Sequence, residues 1–237
     1  MSGEVPICFV LNKPSETFWM VRRIESRKAR MKPTVQGEDI KEQELRWVQQ
    51  ALAGDTEAFV QLIELYQRSV YNLCYRMLGN AEDAEDAAQE TFLRAFHSLR
   101  KFDQQRSFAT WLLSIAAHHC IDQIRKRKMT AFSLEDIPDL EFASHDPLPE
   151  TAIGLREDQQ RIQQLLKNLS ETDRAAIVLY YWYDFSYEEI AQSLSLTVSA
   201  VKSRLHRARR ALAESWLEKY PTTFREVERK GYESPVF

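Results

Sequence analysis

Basic side chains dominate what this sequence can do chemically. Lys202, Arg204, Arg207, Arg209 and Arg210, with His206 among them, fall within one nine-residue stretch that holds no acid. A second run, Arg125-Lys126-Arg127-Lys128, is basic at every position. Guanidinium and ammonium groups bind phosphate, and a planar Arg can also pair with a guanine edge. Acids are sorted just as sharply. Glu82, Asp83, Glu85, Asp86 and Glu90 form one block, and Glu135, Asp136, Asp139, Glu141, Asp146 and Glu150 form another, neither interrupted by Lys or Arg. The formal net charge is −3, from 32 basic and 35 acidic residues. That near-balance hides two local basic stripes, and phosphate attraction is felt within about 8–10 Å.

Enzyme chemistry has little to stand on. His118-His119-Cys120 with Asp122, and the carboxylates of 82–90, are the candidates. Adjacent residues on a helix point about 100° apart, so His118 and His119 are poor joint ligands. His118 and Asp122 share a face, but one such pair is a weak metal geometry. No HExxH, phosphate-binding loop or nucleophile elbow occurs. Cys8, Cys74 and Cys120 are an odd set, far apart in sequence and without zinc spacing. The expectation is no catalytic residue, no metal, no cofactor and no built-in redox sensor.

The elements that position the basic stripes are helical. Six Gly and eight Pro in 237 residues are too few for a barrel or sandwich full of tight turns. No stretch approaches the roughly 18 apolar residues of a membrane span, and no secretory signal is visible, so no membrane insertion and a reducing cytoplasm are expected. Residues 1–37 show no sustained period and read as a poorly structured extension, with Met20 and Met31 as later candidate starts. From 38 to 128 an apolar stripe recurs at helical spacing: Phe59, Leu62, Ile63, Tyr66, Val70, Leu73, Cys74 and Met77. Asp55 and Asn80 stand where N-caps belong, and Gly79 where a left-handed C-cap belongs. Residues 129–153, acidic and holding Pro138, Pro147 and Pro149, read as a linker. A second helical unit follows over 154–217, and 218–237 is a tail. The predicted fold is all-α, with two small helical domains joined by a flexible linker.

The second unit ends in a helix-turn-helix pattern. Ser186-Tyr-Glu-Glu189 is a capping box, Ser195-Leu-Thr a short turn, and the helix after it is basic. Val198, Val201 and Leu205 face the core by period. Lys202, Ser203, His206 and Arg207 then point away, with Arg204 and Arg209 on the flanks. A major groove about 12 Å wide admits such a helix.

Two motifs carry a family resemblance. Phe185-Ser-Tyr-Glu-Glu-Ile-Ala-Gln192 followed by Val201-Lys-Ser-Arg-Leu-His-Arg-Ala-Arg-Arg210 resembles the second conserved region of extracytoplasmic-function sigma factors, small two-domain members of the bacterial sigma-70 family. Asp83-Ala-Glu-Asp-Ala-Ala-Gln-Glu-Thr-Phe-Leu-Arg-Ala-Phe96 resembles that family's polymerase-binding segment. Phe102 and Phe108-Ala-Thr-Trp-Leu112 resemble its −10 segment. The resemblance spans about 45–215, in the family's order.

The resemblance implies a non-enzymatic sigma factor that directs promoter-specific initiation. Asp83, Asp86, Gln89, Glu90, Phe92 and Leu93 would dock on the largest subunits of core RNA polymerase. Asp103, Gln104, Gln105, Arg106 and Ser107 would hold a flipped −10 base, with Trp111, Arg125 and Lys126 along the same strand. Ser199, Lys202, Ser203, Arg204, His206 and Arg207 would read the −35 element of promoter DNA. Ser195 and Ser199 stand where the family usually has Gly. With only about 20 residues beyond the last helix, a separate anti-sigma factor is the expected regulator. The alternative is a stand-alone helix-turn-helix regulator on duplex operator DNA.

Overall fold

The computed structural model describes residues 37–133 and 160–219, and among these every regular element is helical. Helix α1 (Gly37–Leu52) buries Val48 and Ala51. Gly54 takes φ 102°, a turn conformation that favours glycine. Asp55 then caps α2 (Thr56–Leu78), its carboxylate accepting from the Glu57 and Ala58 amides at 2.9 and 3.3 Å. Helix α2 ends at Gly79 (φ 79°), whose N–H reaches Tyr75 O at 2.8 Å. Asn80 caps α3 (Ala81–Ser98). A short 3-10 turn, Leu99–Lys101, leads through a loop to α4 (Phe108–Ser133). Buried Ala84, Ala87, Ala88 and Ala95 let α3 approach its neighbours closely, and Thr91 satisfies its hydroxyl on Ala87 O at 2.7 Å.

Helix α4 departs from the expected boundary at 128. It runs unbroken through the basic run to Ser133, because no Gly or Pro follows until Pro138. The linker expected at 129–153 otherwise lies outside the described residues, as do residues 1–36, the start of the second unit at 154–159, and the tail from 220.

The second half holds α5 (160–167), α6 (Glu171–Tyr183), α7 (Tyr187–Ser193) and α8 (Val198–Lys219). Ser170 caps α6, accepting from the Asp173 amide at 3.2 Å. Asp184 closes α6 in the left-handed region, φ 58°. Helix α6 is buried at every position from Arg174 to Leu179. A surface helix buries only a stripe. This one is covered twice, by α8 of its own half and by α2 and α4 of the other.

The two halves therefore share a packed interface. Arg174 is buried and donates to Met77 O at the end of α2, and to Lys167 O at 3.0 Å. Burial pushes its guanidinium down, and nearby Glu171 opposes that. Gln163 donates to Tyr75 O, and the Tyr183 hydroxyl donates to Ser69 O at 2.6 Å. The Met77 carbonyl at the end of α2 thus finds its donor in the second half, while Gln163 and Tyr183 add donors to the Tyr75 and Ser69 carbonyls.

Candidate nucleic-acid and polymerase interfaces

Helix α3 presents the acidic block outward. Asp86, Gln89 and Leu93 are exposed, Leu93 by 56%. Asp83 is instead held by Arg127 of α4 through both carboxylate oxygens. Glu90 is held by Arg94 at 2.6 Å, and this hydrogen bond lowers its carboxyl below the usual range. Phe92 is half-buried against the core. The expected docking residues thus split into an exposed trio and three that also serve the fold. Two apolar neighbours were not singled out for it: Phe96 is 44% exposed on the edge of Phe59, and Val60 of α2 is 41% exposed. Val60 falls outside the α2 apolar stripe, in keeping with its exposure.

The loop before α4 sits on an aromatic floor. Phe102 and Phe108 are buried, and their ring centroids lie 5.5 Å apart, with Trp111 at 5.1 and 5.5 Å from the two. These edge-to-face and tilted contacts fix the loop's ends. Trp111 belongs to that floor. Above it, the Asp103 carboxylate accepts from Gln105 N at 3.0 Å and Asp103 O from Arg106 N at 3.0 Å, a tight Asx-type turn. Gln104, Gln105 and Ser107 are exposed. Ser107 Oγ accepts from Thr110 N at 3.5 Å at the start of α4.

Farther along α4, Arg125 pairs with Glu171 at 3.2 Å and Lys128 with the same carboxylate at 2.9 Å. The Lys128 hydrogen bond, the backbone amide and Arg125 hold the Glu171 carboxyl down to about 2. Lys126 is exposed and has no ion pair among the described residues.

Helix α8 is built to show one face. Ser186 and Glu189 complete the capping box of α7, the Ser186 amide donating to Glu189 at 2.8 Å and the Glu189 amide to Ser186 Oγ at 3.1 Å. The turn needs Ser195 at φ 54°, the left-handed conformation the sequence placed there with a serine. Leu196 N then bonds Ala191 O at 2.8 Å, and Thr197 Oγ1 accepts from Ala200 N at 3.2 Å. Val201 and Leu205 are fully buried. Ser199, Lys202, Ser203, His206 and Arg207 are exposed.

Two basic residues leave that face. Arg204 bonds Asp173 of α6 at 2.9 Å, which ties it to the neighbouring helix. Arg209 donates to the Tyr181 hydroxyl at 2.9 Å and lies over the Tyr180 and Tyr181 rings.

Comparison with characterised proteins matches this geometry. The sigma-70 region 2 family model covers residues 62–130, and the sigma-70 region 4 model covers 159–212. The ECF RNA polymerase sigma factor SigW of Bacillus subtilis (strain 168) is 39% identical over 172 residues, which are 70% of this chain and 92% of SigW. The chain is a sigma factor of the sigma-70 family, in the extracytoplasmic-function subfamily.

CnrH of Cupriavidus metallidurans, an RNA polymerase sigma factor, is 34% identical over 69% of this sigma factor and 89% of its own length. Among solved structures, CnrH in complex with the cytosolic domain of CnrY aligns with TM-score 0.55 at 27% identity, covering 73% of this chain and 96% of that one. The sigma factor RpoE in complex with the anti-sigma factor NepR, from Bartonella quintana, gives TM-score 0.55 at 26% identity, over 66% and 94%. No metal-holding cluster of His, Cys, Asp and Glu occurs among the described residues, and none of their helices is long and apolar enough to cross a membrane. Cys74 and Cys120 are both buried and free, and their thiols hydrogen-bond, an adjacency that 46 residues of separation conceal. That contact, and then burial, push the Cys120 thiol up, away from thiolate chemistry.

Proposed function

We propose that this sigma factor divides promoter recognition between its halves, 38–128 and 154–217. The exposed face of α3, centred on Asp86, Gln89 and Leu93, docks on core RNA polymerase. The loop 103–107 takes an unstacked −10 base over the Phe102–Phe108–Trp111 floor, while Lys126 and Arg125 follow the strand's phosphates. Helix α8 enters the major groove at −35 with Ser199, Lys202, Ser203, His206 and Arg207, and Arg204 supports it from the flank. Melting draws its free energy from capture of unstacked bases. No nucleotide is hydrolysed, and the protein works in the cytoplasm beside the polymerase.

One observation carries the proposal most: α8 turns five polar or basic side chains to solvent on the face opposite Val201 and Leu205. An anti-sigma factor is the proposed regulatory partner, on the strength of RpoE solved in complex with the anti-sigma factor NepR. Permanganate reactivity of −10 thymines tests the proposal. The thymines should react only when core polymerase and this chain are both present, without added nucleotide. Duplex binding with no reactive thymine in the presence of core would overturn it.

A further inference from the structure

Tyr187 opens α7 and belongs to none of the promoter-contacting sets. Its neighbours Ser186 and Glu189 complete the capping box without it. Its half-buried ring is nevertheless held from two other helices. It stacks on Tyr180 of α6, with centroids 5.5 Å apart and planes 12° from parallel. The Lys202 ammonium of α8 lies over the same ring, 5.7 Å from its centroid. Arg209, also of α8, lies over Tyr180 at 5.4 Å and donates to the hydroxyl of buried Tyr181 at 2.9 Å. Tyr181 meets Tyr180 edge-on, 4.9 Å between centroids and 85° between planes. Hydrogen bonds with Arg209, then with Tyr180, lower the Tyr187 hydroxyl below its ordinary value. The row from Arg209 through Tyr180 and Tyr187 to Lys202 thus leads from buried Tyr181 to the outward face of α8.

The freedom of a lysine gives this row its use. A flexible four-carbon stem lets an exposed ammonium meet DNA at many points, and a cation with no fixed place adds affinity without register. Arg207 brings a planar fork that imposes its own geometry, and Lys202 has none. A ring face supplies the missing constraint, because it attracts the ammonium electrostatically. An ammonium has three N–H donors, so one resting on a ring keeps donors for a base edge or a phosphate. The ring can fix a cation only if it is itself fixed, and Tyr180 and Arg209 do that.

We propose that Tyr187 is a positioning residue for −35 recognition: its ring, braced through Tyr180 and Arg209, sets where the Lys202 ammonium stands in the groove. The proposal rests on the assignment of Lys202 to the −35 element made above. Tyr187 acts through Lys202, so the two residues contribute as a unit and lose their effect together.

A double-mutant cycle of Tyr187→Leu and Lys202→Ala tests it, in run-off transcription by the full chain with core polymerase on a promoter fragment that the wild type transcribes. An exposed cation–π contact is worth a factor of about 2–5, so Tyr187→Leu should lower initiation about 3-fold beside Lys202 and less than about 1.5-fold beside Lys202→Ala. Tyr187→Phe, which keeps the ring, should recover most of the loss. The salt slope for random duplex DNA should stay unchanged in Tyr187→Leu, because the charge remains. In the free chain, the ring current of Tyr187 should shift the Lys202 Cε protons upfield, a shift that Tyr187→Phe keeps and Tyr187→Leu loses. Equal loss from Tyr187→Leu in both backgrounds, in variants with native helicity, would overturn the proposal and make Tyr187 a structural residue. So would unshifted Lys202 protons in the wild type. If Lys202→Ala costs initiation and Tyr187→Leu does not, the proposal alone falls. If Lys202→Ala costs nothing while the ring-current shift is present, the −35 assignment of Lys202 fails and the proposal falls with it.

Discussion

Helices α4 and α8 are both long, both basic and both proposed to meet DNA, yet their charges are handled in opposite ways. On α4, Arg125 and Lys128 share Glu171, and Arg127 is bound by Asp83. On α8, the outward pair Lys202 and Arg207 has no ion pair among the described residues, and Lys202 lies only over the Tyr187 ring, 5.7 Å from its centroid. Compensated cations contribute little to attracting a polyanion until their partners leave, whereas uncompensated ones act at once. A basic run in a sequence therefore reports potential for DNA contact. Which acids fold against it decides when that potential is available.

The largest expected effect is on the uncompensated helix. Lys202→Ala with Arg207→Ala should cost transcription from a −35-dependent promoter at least ~30-fold, at about 1–3 kcal/mol per lost base or phosphate contact. Run-off transcription with core polymerase measures it. Equal loss from Arg125→Ala alone in DNA binding by the free chain would break the comparison, since that cation is already partnered. Salt titration sharpens it further. Removing Lys202 should lower the slope of log affinity against log salt by about 1, and removing Arg127 in the free chain should lower it by less.

Arg204 should behave as a structural residue. Arg204→Ala should lower the unfolding free energy by roughly 1 kcal/mol, allowing for the partial exposure of its pair with Asp173. Chemical denaturation measures it, and Asp173→Ala should cost a similar amount without touching DNA.

His119 gives a pH signature. Burial lowers its pKa, with Arg94 and Lys126 acting the same way and Glu90 and Asp122 opposing them. The unfolded chain then binds the proton more readily than the folded one. Stability is complete above 6.5, the ordinary value, and declines as pH falls toward the lowered folded value. Thermal unfolding from pH 7 downward should show that decline, and His119→Gln should flatten it. The smallest effect is at Ser195: replacing it with Gly should stabilise the turn by about 0.5–1 kcal/mol, because Gly takes φ 54° without a Cβ penalty.

What sequence alone could show was local. Asp55, Asn80, Ser186 and Gly79 end or begin helices through contacts of two to four residues, and all were legible as caps. The outward face of α8 followed from period alone. What it concealed depends on residues remote in sequence. Arg174 meets Met77 across 97 positions, and Cys74 meets Cys120 in a core that no spacing rule anticipates. The fate of Arg204 turned on Asp173, 31 positions away on another helix. The extension of α4 past 128 shows that this basic run by itself does not end the helix.

The most direct test of the account is run-off transcription with core polymerase on a library of promoter fragments, with the wild-type chain and with the Lys202→Ala, Arg207→Ala variant. Transcripts that require the chain, share −35 and −10 sequences, and disappear with the variant are the predicted result. Tight binding to duplex DNA with no chain-dependent transcript from any fragment would contradict it.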